Sequence, residues 1–233
     1  MRVLVIRPAK DGEHLAQLLR ERGHEPILSP AIDIDFEDGP CLSLAGAQAI
    51  LATSANGVRA LAGRTEERKI PVFAVGPQTA EAAHTAGFAV VRDAHGDSKT
   101  LVEKVSQWTP AGDGKLLYAT GDVSADDFVN QLLQQGFHVE VLRLYRAIER
   151  ARLSDAAAAA LASGEVDTGM FFSPRSARVF VHQVIRAGLQ KECGKVGAMC
   201  ISTAVADALR SLRFSDIRIA AQPNRGSILD LLG

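Results

Sequence analysis

An α/β protein of two similar lobes, each a parallel sheet flanked by helices and joined by a two-stranded extended linker, is what this sequence predicts. Three observations lead there. The stretch from Arg2 to Ile34, RVLVIRP…LAQLLRERGHEPILSPAIDI, returns from Lys115 to Ile148 as KLLYATG…FVNQLLQQGFHVEVLRLYRAI, with Arg2 and Gly23 each standing 113 residues before Lys115 and Gly136. A second block, QAILATSANGVRAL at Gln48 to Leu61, resembles TGMFFSPRSARVFV at Thr168 to Val181, so that Ser54 matches Ser173 and Arg59 matches Arg178. A third and weaker pair sets VFAVGPQTAEAA from Val72 beside AMCISTAVADAL from Ala198. Self-similarity of this kind marks a duplicated structural unit, and two facing copies leave a cleft in which a ligand sits.

Each block reads as strand, polar turn, helix. Val3 to Ile6, Ala49 to Ala52, Val72 to Val75, Leu116 to Ala119, Met170 to Phe172 and Ala198 to Ile201 are short apolar runs without polar alternation. That pattern belongs to parallel strands covered on both faces. Between the runs, Leu15, Leu18 and Leu19 recur at helical spacing, as do Phe128, Leu132 and Leu133. Gly23 and Gly136 stand where those helices must stop, in the position that favours glycine. The alanine run Ala156 to Ala160 predicts a helix. Ser29 to Phe36 and Arg143 to Glu149 read as extended linkers. The block order allows two arrangements: contiguous lobes, or an N-terminal block that joins the C-terminal ones. Periodicity alone does not choose between them.

Composition narrows the function. With 233 residues, 47% of them hydrophobic, the chain can bury one large core or two small ones. The 26 basic and 27 acidic residues balance. No global field draws in nucleic acid or an anionic membrane, so an anionic ligand must be held locally. Cys41, Cys193 and Cys200 are odd in number and widely spaced, which favours reduced thiols over disulfides or a metal site. The apolar run Val3 to Ile6 breaks at Arg7-Pro8, too short for a signal peptide or a membrane span. A soluble cytoplasmic protein is expected.

The chemistry is expected where strands end and helices begin, because free backbone N–H groups and helix dipoles there favour anions. Four turns carry suitable side chains: Thr53-Ser54-Ala55-Asn56-Gly57, Ser173-Pro174-Arg175-Ser176, Gly76-Pro77-Gln78-Thr79, and Ser202-Thr203. Simple N-capping is the competing role for each, at roughly 1 kcal/mol per cap. Asn224-Arg225-Gly226-Ser227 offers a further anion-binding or capping turn. Arg7 is either a ligand-facing cation or a solvated residue before a turn proline. Tyr145 lies in the extended crossover, where a phenol can face the cleft or pack as an interfacial ring. The six histidines, His14, His24, His84, His95, His138 and His182, show no metal-ligand spacing and are assigned surface or packing roles. No GxxxxGK[ST], GxGxxG or GxSxG motif is present, which disfavours nucleotide-dependent enzymes and serine hydrolases.

Arg7-Pro8, the P-x-I of Pro30 to Ile32, TSANGV at Thr53 to Val58, AVGPQTA at Ala74 to Ala80, Leu144-Tyr145-Arg146 and FFSPRSA at Phe171 to Ala177 together resemble the uroporphyrinogen-III synthase family. The resemblance spans nearly the whole chain and rests on the ordered set, since each motif alone is weak. It implies a discontinuous lobe of residues 1–34 plus 149–233, an inserted lobe of 41–145, and linkers at 35–40 and 146–148. It implies a cofactor- and metal-free lyase that cyclises hydroxymethylbilane, a linear tetrapyrrole with eight carboxylates, while inverting its last ring. Tyr145 becomes the candidate proton donor; Ser54, Asn56, Thr79, Ser173 and Ser202 become carboxylate holders, with Arg7, Arg175 and Arg225 adding charge. A monomer is expected, with transient contact to the enzyme that supplies its substrate. One departure is visible: Val205 stands opposite Thr79, so one lobe lacks that hydroxyl; Ser202 and Thr203 are the candidate substitutes, and an equal division of substrate contacts between the lobes is not expected. The rival reading is a two-lobed small-anion binding or sensor protein without catalysis, because function lives in the site and not in the frame.

Overall fold

The computed structural model describes residues 1–121 and 126–233, the Asp126 side chain excepted. In chain order the elements are β1 (Arg2–Val5), α1 (Ala9–Glu21), β2 (Glu25–Leu28), β3 (Ile32–Phe36), β4 (Ala47–Ala52), α2 (Ala55–Ala62), β5 (Val72–Ala74), α3 (Pro77–Thr85), β6 (Val91–Asp93), α4 (Ser98–Trp108), β7 (Lys115–Thr120), α5 (Asp126–Gln134), β8 (His138–Arg143), β9 (Tyr145–Glu149), α6 (Asp155–Ala162), β10 (Thr168–Phe171), α7 (Pro174–Ala187), β11 (Gly197–Cys200), α8 (Thr203–Ala208), β12 (Asp216–Ile219) and α9 (Arg225–Leu229). Two compact units result, one of Met1–Asp33 with Ile148–Gly233, the other of Ile34–Ala147.

The first unit holds a five-stranded sheet in the order β12-β11-β10-β1-β2, and the second a sheet in the order β6-β5-β4-β7-β8; every pairing within both is parallel. Strands β3 and β9 form a separate two-stranded sheet. The sequence repeat is repeated in the registers. Leu4 lies opposite Gly169 in one sheet, and their repeat partners Leu117 and Ile50 lie opposite each other in the second. The same holds for Arg2 and Glu25 against Lys115 and His138, and for Met170 and Met199 against Leu51 and Phe73. The duplication therefore preserved hydrogen-bond register and not merely composition. What differs is chain order: the first-type block opens one unit and closes the other.

Alternating residues of the central strands feed two cores in the second unit. Ile50, Ala52, Leu117 and Ala119 pack with Val58 and Leu61 of α2 and Ala83 of α3. Ala49, Leu51, Leu116 and Tyr118 pack with Leu101 and Val105 of α4 and with Phe128 and Leu132 of α5. In the first unit, Val3, Val5, Met170 and Met199 meet Leu15 and Leu19 of α1 and Ile228 and Leu229 of α9. Phe171 stacks edge-on against Phe180 of α7 at 5.2 Å. Of the residues expected on core faces, Leu133 is the exception, 48% exposed on α5. Gly23 and Gly136, with φ of 77° and 85°, stop α1 and α5 in the left-handed conformation expected of them.

One arginine closes two helices. Arg68 donates from Nη2 to the carbonyl of Ala62 (3.0 Å), from Nε to Ala86 (2.7 Å) and from Nη1 to Thr65 (2.7 Å) and Glu67 (3.0 Å). Its guanidinium lies 5.0 Å over the Phe88 ring. It thus satisfies carbonyls at the ends of α2 and α3, where a helix supplies no donor of its own. Arg68→Met is expected to lower unfolding free energy by about 3 kcal/mol, because carbonyls left unpaired in partly buried positions add to the lost bonds. Urea denaturation checks this, and a change below about 0.5 kcal/mol would show that water takes over those carbonyls.

Candidate functional site

Each unit gathers its candidate residues at the carboxyl ends of its strands, the edge of an open α/β sheet where ligands collect. In the first unit, Arg7 follows β1. Its Nη2 donates to Asp11 Oδ2 at 2.9 Å, and its guanidinium lies 4.6 Å above the Phe172 ring. The side chain is only 14% exposed, so this is not a solvated arginine. Pro8 caps α1, and one turn later Asp11 reaches back to the guanidinium. The cation is held in a fixed plane, already facing one carboxylate.

Ser173 caps α7: its Oγ accepts from the Ser176 amide at 3.1 Å and donates to Ser176 Oγ at 2.9 Å. Arg175, in the first turn of α7, approaches Glu149 through Nε at 3.3 Å, an exposed pair of modest strength. Ser202 takes the cap position of α8 but makes no side-chain cap bond. Arg225 opens α9, whose cap is Asn224, accepting from the Ser227 amide at 2.9 Å.

In the second unit, Ser54 caps α2 by accepting from the Asn56 amide at 3.1 Å. Asn56 Oδ1 accepts from Arg59 Nη1 at 2.9 Å, which turns the amide nitrogen, a pure donor, away from the arginine. Thr79 lies in the first turn of α3 and is buried, 4% exposed; Val205, its counterpart in α8, is buried as well. The hydroxyl-for-methyl difference between the copies is thus an interior one. Tyr145 opens β9 directly after Leu144, whose amide donates to the Thr120 carbonyl at 2.9 Å. Its ring lies flat against Gly121 at the end of β7: a Cβ built there would stand 2.3 Å from Tyr145 Cε2. Phe36 meets the same ring edge-on at 6.4 Å.

Sequence reasoning overlooked two features of this edge. Tyr118 sends its phenol along β7 to Thr53, with the two oxygens 2.9 Å apart, so the TSANG turn is braced from beneath. Arg59, visible only as a repeat match, orients Asn56. The Thr53–Tyr118 pair has no local signal, because it joins residues 65 positions apart; Arg59 stands only three residues from Asn56 on α2, so helical spacing was the signal that could have found it.

The remaining chemistry is quiet. Among the described residues no group of three or more His, Cys, Asp and Glu side chains is placed to hold a metal ion. No helix of the described residues is long and apolar enough to cross a membrane. All three cysteines are free; burial pushes the Cys193 thiol up to about 11, with Glu192 adding to it, and the Cys200 thiol up to about 12. Both stay protonated and inert at neutral pH.

The fold defines a protein of two α/β units, each a parallel sheet with polar turns at its strand ends. The model of the family described as uroporphyrinogen-III synthase HemD matches residues 13–230, and the chain belongs to that family. Among solved structures it resembles the uroporphyrinogen-III synthetase of Helicobacter pylori, at 16% identity and a TM-score of 0.64 over 100% of this chain and 98% of that one. It also resembles a mutant uroporphyrinogen III synthase of Thermus thermophilus, at 22% identity and a TM-score of 0.53 over 100% and 97%. At those identities the likeness shows a shared fold. Among curated protein sequences none matches significantly.

Proposed function

We propose that this protein cyclises hydroxymethylbilane to uroporphyrinogen III, inverting ring D and releasing water, in tetrapyrrole biosynthesis. Family membership over residues 13–230 carries the reading, and the polar strand ends of both units are chemically suited to it. The substrate's eight carboxylates need many donors. Main-chain amides at helix starts supply them without a net-positive protein. Ser54, Asn56, Thr79, Ser173 and Ser202 hold carboxylates through side chains or the amides beside them, and Arg7, Arg175 and Arg225 add charge pairing.

The reaction starts when the pyrrole nitrogen lone pair expels the hydroxymethyl oxygen. Tyr145 donates the proton that lets it leave as water, giving an azafulvene. Attack by ring D forms a spiro pyrrolenine, which fragments and recloses in the inverted sense. The carbon that closes the macrocycle then loses a proton to restore the aromatic pyrrole, and this returns the proton the phenol gave. No redox change occurs, so proton transfer and positioning suffice without a cofactor. The protein acts as a monomer in the cytoplasm, touching the preceding enzyme only transiently.

The test is to incubate the protein with freshly generated hydroxymethylbilane, oxidise the products and separate the type I and type III uroporphyrins. Excess type III supports the enzyme; type I alone from folded protein favours a binding protein without catalysis. A second measurement separates binding from capping. Ser54→Ala combined with Ser173→Ala removes two caps and is expected to cost about 2 kcal/mol of stability. Product affinity is expected to fall roughly tenfold besides, a loss of about 1.4 kcal/mol that a capping role alone does not produce. Unchanged affinity in the folded double variant would reduce both serines to caps.

A further inference from the structure

The hydroxyl pair at the end of β4 holds one hydrogen more than it uses. Tyr118 on β7 lies opposite Leu51 of β4, two residues short of Thr53, and its phenol runs along the strand until the two oxygens stand 2.9 Å apart. The tyrosine is 4% exposed, set among Leu51, Leu101 and Val105, with its ring 4.8 Å from that of Phe128. Thr53 is half-buried. Among the described residues neither oxygen has a second hydrogen-bond partner. Two hydroxyls carry two hydrogens, and the contact consumes one. A hydrogen left over on the buried phenol would go unpaired, whereas one left over on Thr53 can turn to the strand edge; the phenol therefore donates and Thr53 accepts. That bond fixes a rotor that otherwise turns freely, and polarisation along the chain of bonds makes Thr53 the stronger donor.

We propose that Thr53 donates its hydroxyl hydrogen to a carboxylate of the substrate, and that Tyr118 is the positioning residue that aims it. This deepens the functional reading above and rests on it. The duplicated frame is an internal control. By the repeats that pair Ser54 with Ser173 and Arg2 with Lys115, Thr53 corresponds to Phe172 and Tyr118 to Val5. Val5 lies opposite Met170 as Tyr118 lies opposite Leu51, and Phe172 packs against the core that holds Val5. The same strand pair thus forms in the same register with two apolar side chains at this place. A phenylalanine in β7 would bury the same ring without desolvating a hydroxyl, so the phenol serves the turn and not the frame.

The surroundings fit an anion. Thr53 directly precedes Ser54, the cap of α2, where the helix dipole favours negative charge. Asn56 turns its amide nitrogen away from Arg59, which brings a cation to the same turn. Pyrrole nitrogens are donors, so the acceptors that the ligand offers a hydroxyl are its carboxylates. In the first unit the corresponding Phe172 lies beneath the Arg7 guanidinium at 4.6 Å. One copy supports a cation at this place, and the other aims a neutral donor.

The test is a double-mutant cycle of Tyr118→Phe and Thr53→Val, with Thr53→Ser as the conservative variant. It is read in melting temperature and in Kd for uroporphyrin III, an octacarboxylate probe without the hydroxymethyl group. Thr53→Val leaves the buried phenol unpaired and is expected to melt about 5 °C lower; adding Tyr118→Phe restores most of that, because the pair becomes apolar as in the first unit. Affinity does not follow. Kd is expected to weaken about tenfold in Thr53→Val, about threefold in Tyr118→Phe, and no further than in Thr53→Val when both are combined, since the phenol acts through Thr53. Thr53→Ser keeps the donor and is expected to hold Kd within about twofold of wild type. Recovery of affinity together with melting temperature in the double variant is what a structural brace gives, and it overturns the proposal. Unchanged Kd in Thr53→Val and Tyr118→Phe, with wild type active on hydroxymethylbilane, overturns it as well. Additive losses in the double variant overturn the role of Tyr118 as a residue acting through Thr53. Wild type that neither cyclises hydroxymethylbilane nor binds uroporphyrin overturns the functional reading, and the carboxylate role of Thr53 with it.

Discussion

Tyr145→Phe is expected to lower kcat for ring closure by about 10²-fold while leaving the melting temperature unchanged. The ring keeps its contacts with Gly121, Phe36 and the apolar residues of the second unit, so removing one oxygen barely disturbs the packing. The proposed proton donor is removed, and general acid catalysis contributes about 10²- to 10⁴-fold. The lower figure applies because folding the linear tetrapyrrole so that its ends meet supplies much of the acceleration. Gly121→Ala reaches the same end from outside the phenol. Its Cβ would stand 2.3 Å from Cε2 and 2.5 Å from Cζ of Tyr145, so the ring must swing off the end of β7. A displacement on the order of 1 Å can cost 10²-fold. Stopped-flow measurement of type III formation checks both variants, and full activity in Tyr145→Phe would transfer the proton to solvent or another group.

Gly57→Ala is expected to destabilise the protein by about 2–3 kcal/mol, as overpacking against rigid backbone does. The added Cβ would meet the Ala119 carbonyl oxygen at 2.4 Å and its carbon at 3.2 Å. Neither atom can rotate away. Helix α2 has to lift from β7, and it carries Ser54 and Asn56 with it, so binding weakens along with stability. The melting temperature should fall by roughly 10 °C, which calorimetry reads directly. Gly63→Ala is the matched control: at the end of the same helix its Cβ meets nothing closer than 3.6 Å, and a change within about 0.5 kcal/mol is expected. Equal melting of the two variants would mean that α2 is free to shift on its sheet.

How legible the molecule was depended on how many neighbours each residue had. The central strands β1, β4, β5, β7, β10 and β11 were visible as apolar runs because they are covered on both faces and paired on both edges. The outer strands β2, β6, β8 and β12 carry no such run. Asp216–Ile219 is exposed along its whole length, and its charged Asp216 and Arg218 pair with each other at 2.9 Å. An edge strand bonds on one side only, and polar residues there discourage pairing with other chains.

The candidate site divides in the same way. Ser54 and Ser173 were legible as the first residues of helices, and both cap them, because capping is a local interaction read within three residues. Arg7 was ambiguous until α1 brought Asp11 under it and β10 brought Phe172 beside it. His95 was assigned with the other histidines to a surface or packing role, and its ring is 76% exposed; only its left-handed backbone left no mark in composition. Thr53 and Asn56 were chosen for their turn, but the phenol of Tyr118 and the guanidinium of Arg59 that steady them were not.

The sequence by itself determined the duplication, the α/β class, the strand-turn-helix grammar of each block and the turns where polar side chains gather. All of these follow from periodicity and short-range hydrogen bonding, which act over a few residues. Only the tertiary structure decided that Met1–Asp33 packs with Ile148–Gly233, and which side chains meet at the strand ends. The two copies have the same strand order and the same registers, so local pattern is identical under either connection. Burial of the central strands between particular neighbours breaks that tie, and it is a property of the folded chain alone.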